Sequence, residues 1–243
     1  VRDMLLGVVA KDFDIATSAP PDTVIALFEK TVEVGAQFGV IRVLQGGHEV
    51  EVATFRTEGG YADGRHPGQV SWTSAKDDVL RRDFTINGLL WDPLSDDEAA
   101  RVIDFVDGRE DLRAGVIRAI GDAEARFGED RLRILRAIRF AARLGFDVEE
   151  QTWQALLRCA SQIHDVSVER IFTELDQMLT GPAPERAWAL LETSALLTYV
   201  LPEVTTASTV AMRLAKLESP SSELVWAVVL LDAADQRPDV LSL

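Results

Sequence analysis

Two aspartates two residues apart, Asp12 and Asp14, stand in the run Lys11-Asp12-Phe13-Asp14-Ile15-Ala16-Thr17. In a strand, residues i and i+2 share a face, so the spacing predicts both carboxylates on one side and Phe13 and Ile15 on the other. Like charges held that close are costly unless a cation sits between them. Mg²⁺ takes carboxylate oxygens and shares itself with substrate phosphates. Two such ions can clamp the attacking and leaving oxygens of a phosphoryl displacement. The plainer alternative is a pair of surface aspartates on an edge strand, and D-x-D alone does not separate the two. Glu51, in Val50-Glu51-Val52, is the candidate third carboxylate, against the alternative of an exposed strand glutamate.

Two further stretches carry usable side chains. In Arg81-Arg82-Asp83-Phe84-Thr85-Ile86-Asn87, Arg82 can meet phosphates while Asp83 and Asn87 can bond ribose hydroxyls. The alternative is a charged helix start with internal ion pairs. From Phe127 to Phe140 the spacing predicts one helix. On it Glu129, Arg133, Arg136 and Arg143 form a stripe, with Asp130 and Arg139 on the flanks and Ile134, Ile138, Ala141 and Ala142 opposite. Asp130 accepts hydrogen bonds and Arg133 donates them in a rigid fork. Held by an i,i+3 pairing, they would present a fixed edge to a nucleobase, with Arg136 and Arg139 toward a triphosphate. The alternative is an amphipathic helix laced with salt bridges.

The elements that must position these groups read as follows. Val1–Leu6 predicts a short helix closed by Gly7. Lys11–Ala16 is the carboxylate strand, and Pro20 and Pro21 open a helix through Lys30. Val40–Phe55 reads as a hairpin turning at Gln45-Gly46-Gly47-His48. Thr57–Lys76, with its glycines and no periodicity, reads as a long loop of the kind that is usually functional or disordered. Val102–Arg118 is a turn-rich linker. From Asp122 the pattern is helical, with no strand signal after about Ile120. The fold class is therefore α+β, an α/β head followed by an all-helical body.

Composition bounds the rest. The 243 residues suffice for one large or two ordinary domains. A net charge of −15 argues against a protein coated by nucleic acid, but arginines crowd between Arg131 and Arg143 and leave room for a local basic groove. The apolar run Val225–Leu231 is too short to span a bilayer. No signal peptide is visible in a chain opening Val1-Arg2-Asp3. The lone Cys159 suits a reducing cytosol and reads as core. His48, His66 and His164 lack ligand spacing, and the tryptophans are scattered as packing residues.

Together these stretches resemble the class II tRNA nucleotidyltransferase and bacterial poly(A) polymerase family. Val1-Arg2-Asp3…Leu5-Leu6-Gly7 with Asp12-Phe13-Asp14-Ile15-Ala16-Thr17 resembles its catalytic motif. Glu51-Val52-Ala53-Thr54-Phe55-Arg56 resembles the strand before its flexible loop. Arg81–Asn87 resembles its ribose motif, and Glu129-Asp130…Arg133…Arg136…Arg139-Phe140 its nucleotide-selecting helix. The resemblance implies a polymerase-β-like head over residues 1–118, a helical neck over 119–180 and the start of a helical body over 181–243. It implies Mg²⁺ at Asp12 and Asp14 and attack of a tRNA 3′ hydroxyl on the α-phosphate of CTP or ATP. Arg2 would meet the triphosphate and Arg82 the phosphates or sugar. Asp130 and Arg133, aided by Glu129, would pair with the incoming base in place of a template. The loop from Thr57 to Lys76 would help switch from C to A. The protein would be cytoplasmic.

The chain departs from the family pattern in beginning after its usual Gly-Gly pair and in carrying Gly88 where alanine is usual. The basic pair of poly(A) polymerases is missing from Gly35-Ala36-Gln37-Phe38-Gly39-Val40-Ile41, which favours CCA addition. The alternatives are poly(A) synthesis, addition of only C or only A, a non-catalytic RNA-binding relative, and an unrelated acidic helical scaffold.

Overall fold

Apolar residues alternating along extended segments build the first part of the molecule. In the computed structural model, residues 1–10, 13–35, 39–59, 69–97, 100–204 and 209–236 are described. The chain opens on α1 (Arg2–Leu5), which ends as the Gly7 reading anticipates: Gly7 has φ +69°, and Val8 N–H reaches back to the Asp3 carbonyl at 2.9 Å. Strand β1 (Ile15–Thr17) and helix α2 (Pro21–Leu27) follow, the helix shorter than its predicted end at Lys30. Then come β2 (Thr31–Gly35), β3 (Val40–Gln45) and β4 (His48–Thr54).

These four strands form a mixed sheet in the order β1-β4-β3-β2. β1 runs parallel to β4, while β3 is antiparallel to both β4 and β2. The predicted hairpin is β3–β4; Gly46 and Gly47 both have positive φ, as a two-residue turn of this hand requires. β2 is a strand the sequence reading lacked. Val24 of α2 packs with Ile41, Val43 and Val52 on one face of the sheet, with Ala19, Ile25 and Phe28 around them. Glu49 and Glu51 alternate onto the opposite, exposed face.

The predicted long loop is largely structured at its ends. β5 (Arg56–Gly59) and β6 (Gln69–Trp72) pair antiparallel, and Ser74 caps α3 (Ala75–Leu80) by accepting from Asp77 N–H. The middle of that loop lies outside the described residues. A 3₁₀ turn at Thr85–Asn87 leads to β7 (Leu90–Trp91), paired with β8 (Val102–Ile103). The expected linker also holds α4 (Gly108–Ala114) and β9 (Val116–Ile117). Asp104 organises it by accepting from the N–H groups of Val106, Gly108 and Arg109.

Among the described residues the chain divides into two compact units, the first ending at Glu110 and the second beginning at Asp111. The second contains α5 (Ala123–Glu129), α6 (Leu132–Leu144), α7 (Glu150–Cys159), α8 (Val168–Leu179), α9 (Pro184–Thr193), α10 (Leu197–Val200), α11 (Val210–Leu214) and α12 (Ser222–Gln236). It is not purely helical: β10 (Asp147–Val148) pairs parallel with β9, too short a strand to show a period in sequence. α6 is the central helix, with Ile134, Leu135, Ala137, Ile138 and Ala141 buried. Gly145, at φ +69°, ends it, and Phe146 N–H bonds the Ala141 carbonyl at 3.0 Å. Cys159 is buried, as expected of a core residue.

Candidate active site

The carboxylate end of the site lies beside β1. Lys11 and Asp12 fall outside the described residues. Strand β1 begins at Ile15, later than expected, so Asp14 stands one residue ahead of it, exposed. Ile15 pairs with Val52 and Ala16 with Ala53; extending that register by one residue sets Asp14 opposite Glu51. Glu51 also has a neighbour of its own. Arg42, its partner on β3, lies 3.3 Å from Glu51 and 2.6 Å from Glu49. Among the described residues no three acids, histidines or cysteines gather to hold a metal. The donors on offer, Asp14 and Glu51, are all oxygen, which suits a hard dication such as Mg²⁺.

Within the same unit the structure joins two stretches far apart in sequence. Arg2 Nη1 donates to Asn87 Oδ1 at 2.7 Å, and Asn87 Nδ2 donates to Asp83 Oδ1 at 3.0 Å. The same Asp83 oxygen accepts from Phe84 N–H at 2.7 Å, and the side chain is buried. Arg2 is held on its other side by Asp3, at 2.7 Å from Nη2 and 2.8 Å from Nε. Arg82 is tied inward: Nη2 lies 3.0 Å from Asp78 Oδ2, and Nη1 donates to the Asn87 carbonyl at 3.1 Å.

Asp78 is the hub of this region. It is 3% exposed and accepts from Arg81, Arg82 and the Arg56 N–H. Burial by itself would raise its pKa, but the Arg81 guanidinium and the hydrogen bonds from Arg81, Arg56 and Arg82 hold it below the ordinary aspartate value.

The arginine stretch differs from its prediction. It is two helices, because the chain leaves helical geometry at Asp130 (φ −141°, ψ 104°). There the Asp130 carboxylate accepts from Leu132 N–H at 3.1 Å, the local competition by which short acids break helices. A single wheel through Glu129 and Asp130 therefore does not describe it. The expected Asp130–Arg133 pairing is replaced by two others. Arg133 Nη1 donates to Glu129 Oε2 at 2.8 Å and to the Arg126 carbonyl at 3.1 Å. Asp130 faces Arg170 of α8, with Nη2 at 2.9 and 3.2 Å from its two oxygens. Arg126 completes the Glu129 bridge at 2.9 Å.

Arg139 does not sit with an open charge as expected. It is 8% exposed, Nε bonds Glu174 Oε2 at 2.6 Å, and its guanidinium lies over Phe140 at 4.5 Å. This is a pair locking α6 to α8. Arg136 is half-buried, 4.0 Å from Glu174. Arg126, Arg170, Asp78 and Glu174 are the polar residues that sequence reasoning missed. Arg126, three residues before Glu129, and Asp78, three and four residues before Arg81 and Arg82, were readable from helical spacing.

The chain is similar to known proteins over most of its length. Residues 1–118 match the family described as the poly A polymerase head domain, and residues 145–208 the probable RNA and SrmB-binding site of polymerase A. The chain belongs to the poly(A) polymerase and tRNA nucleotidyltransferase family. Its α+β fold is that family's polymerase-β-like head followed by a helical region. A CCA-adding enzyme of Streptococcus sanguinis (strain SK36) is 42% identical over 236 residues, which cover 95% of this chain and 58% of that enzyme. One from Geobacillus stearothermophilus is 43% identical over 201 residues, covering 82% of this chain and 48% of that enzyme. The crystal structure of the Bacillus stearothermophilus CCA-adding enzyme in complex with CTP superposes with a TM-score of 0.75 at 34% identity, over 98% of this chain and 64% of that one. The Thermotoga maritima CCA-adding enzyme complexed with tRNA gives 0.70 at 26% identity, over 88% and 49%. The chain thus spans about half to three-fifths of the length of the relatives it matches. No helix among the described residues is long and apolar enough to cross a membrane.

Proposed function

We propose that this protein adds CMP and AMP to the 3′ end of tRNA without a nucleic-acid template, in the cytoplasm. What carries the reading is the survival of four nucleotidyltransferase motifs, in order, in a chain 42% identical to a CCA-adding enzyme. The tRNA 3′ hydroxyl attacks the α-phosphate of CTP or ATP. A bond forms between that oxygen and phosphorus, the bond to the β-phosphate bridging oxygen breaks, and pyrophosphate leaves.

Asp12 and Asp14, with Glu51 as third carboxylate, hold Mg²⁺. When bound, the ion supplies Lewis-acid stabilisation of charge on the phosphate oxygens and lowers the pKa of the hydroxyl. Arg2 binds the triphosphate, and the Arg82 stretch orients the sugar end. Asp130 and Arg133, the latter set by Glu129, read the Watson–Crick edge of the base, with Arg136 nearby for phosphate charge. Arg139 belongs to the scaffold.

The test uses the complete protein with tRNA lacking its 3′ end, Mg²⁺, and CTP and ATP separately and together, followed by sequencing of the ends. CCA ends support the proposal. A-tails would replace it with poly(A) synthesis, C-only or A-only ends with a partial enzyme, and unchanged ends would remove it.

A further inference from the structure

Arg42 stands between two carboxylates. Its neighbours on β3, Ile41 and Val43, are buried with Val24 of α2, so alternation turns Arg42 to the opposite face of the sheet. Strand register sets it across from Glu51, and Glu49 lies two residues away on the same face of β4. The two contacts are unequal. Arg42 Nε lies 2.6 Å from Glu49 Oε1, while Nη2 donates to Glu51 Oε1 at 3.3 Å. The guanidinium is thus anchored on Glu49 and touches Glu51 more loosely. Glu51 in turn stands opposite Asp14 when the β1–β4 register is extended by one residue.

We propose that Arg42 is a positioning residue for the metal-binding carboxylates: it is the resident counter-ion of Glu51, and a divalent cation must displace it onto Glu49 to use that carboxylate. A dication and a guanidinium on one carboxylate repel each other at short range. The exchange is easy for two reasons. The Arg42 and Glu51 side chains are 34% and 49% exposed, and an ion pair that open to water holds weakly. Glu49 also keeps the displaced guanidinium paired. Arg42 therefore compensates the third carboxylate when no metal is bound, and it leaves metal affinity below what the acids alone would give. The inference rests on the reading above, that Glu51 is a metal ligand, and adds a competitor for it.

The experiment titrates the complete protein with Mn²⁺ in the absence of nucleotide, following the free ion by electron paramagnetic resonance, with thermal unfolding as a check on the fold. Arg42→Gln is expected to tighten Mn²⁺ binding about two- to five-fold, the worth of an exposed ion pair. Glu49→Gln is expected to weaken it by a similar factor, because Arg42 then turns wholly to Glu51. In the Arg42→Gln background, Glu49→Gln is expected to change nothing. That comparison separates displacement from a general field of charge, in which Glu49→Gln would weaken Mn²⁺ binding whether or not Arg42 is present. Unchanged or weaker binding in Arg42→Gln, or a Glu49→Gln loss that persists in the double variant, overturns the inference while leaving the proposed function in place. A wild-type protein that binds no Mn²⁺, or an Asp14→Asn variant that binds it as wild type does, overturns the metal reading and the inference with it.

Discussion

Asp14 is exposed ahead of β1, whereas Asp78 is buried among guanidinium groups, and the two should respond to substitution in opposite ways. Asp14→Ala is expected to abolish nucleotide addition while leaving the melting temperature and tRNA binding nearly unchanged; retained addition would remove the metal role. Asp78→Asn is expected to act on stability. Its pKa is depressed in the folded state, so its contribution is fully present above the unfolded value of about 3.9 and is lost as pH falls through the folded value. Denaturant titrations at descending pH below about 4 should therefore show a shallower loss of stability in Asp78→Asn than in wild type. Arg133 is the remaining test at single side chains. Its guanidinium is aimed by Glu129 and the Arg126 carbonyl. Arg133→Ala is expected to blur the choice among the four nucleotides more than it slows pyrophosphate release, as competition between them would show. Equal loss with all four and unchanged selectivity would refute base reading.

Helix α6 depends on its partners more than on its own arginine pattern. The Arg139–Glu174 pair is nearly sealed from water between α6 and α8. Removing Glu174 takes the paired carboxylate from the buried Arg139, whereas removing Arg139 leaves Glu174 the Arg136 guanidinium 4.0 Å away, so Glu174→Ala is expected to cost about 3–5 kcal/mol in denaturant unfolding and Arg139→Ala less. Replacing both with methionine is expected to recover most of it; a double variant no more stable than either single one would contradict this account. The turn after α3 makes a second prediction. A Cβ on Gly88 would lie 2.7 Å from Val106 Cγ2 and 3.0 Å from Val79 Cγ1. The alanine usual in the family is therefore too large here. Gly88→Ala is expected to destabilise by about 1–3 kcal/mol, and Val106→Ala to relieve it.

Across the whole chain the net charge of −15 sets a background that local pairs do not cancel. Self-repulsion of this kind weakens the compact state and is screened by salt, whereas buried pairs such as Arg139–Glu174 are screened little. Raising NaCl from low concentration to about 0.5 M, where the Debye length falls well below 10 Å, is expected to raise the melting temperature by a few degrees. A fall would mean that surface ion pairs outweigh the repulsion.

Local chemistry made much of the fold legible in the sequence. Motif order, the Gly7 cap, the β3–β4 hairpin and the α+β division follow from local chemistry, because caps, two-residue turns and alternating apolar residues act over a few positions. The strand Thr31–Gly35, the β9–β10 pair and the break at Asp130 did not show, since short strands have no readable period and a carboxylate's choice between helix and cap depends on its surroundings. The partners of the charged residues were the least legible. Asp130 chooses Arg170 and Arg139 chooses Glu174 from other helices, and Arg2 chooses Asn87 across 85 positions. Residue type and spacing state which groups can donate or accept. Packing alone decides which donor reaches which acceptor, because only the folded chain brings distant segments within the 3 Å that a hydrogen bond requires.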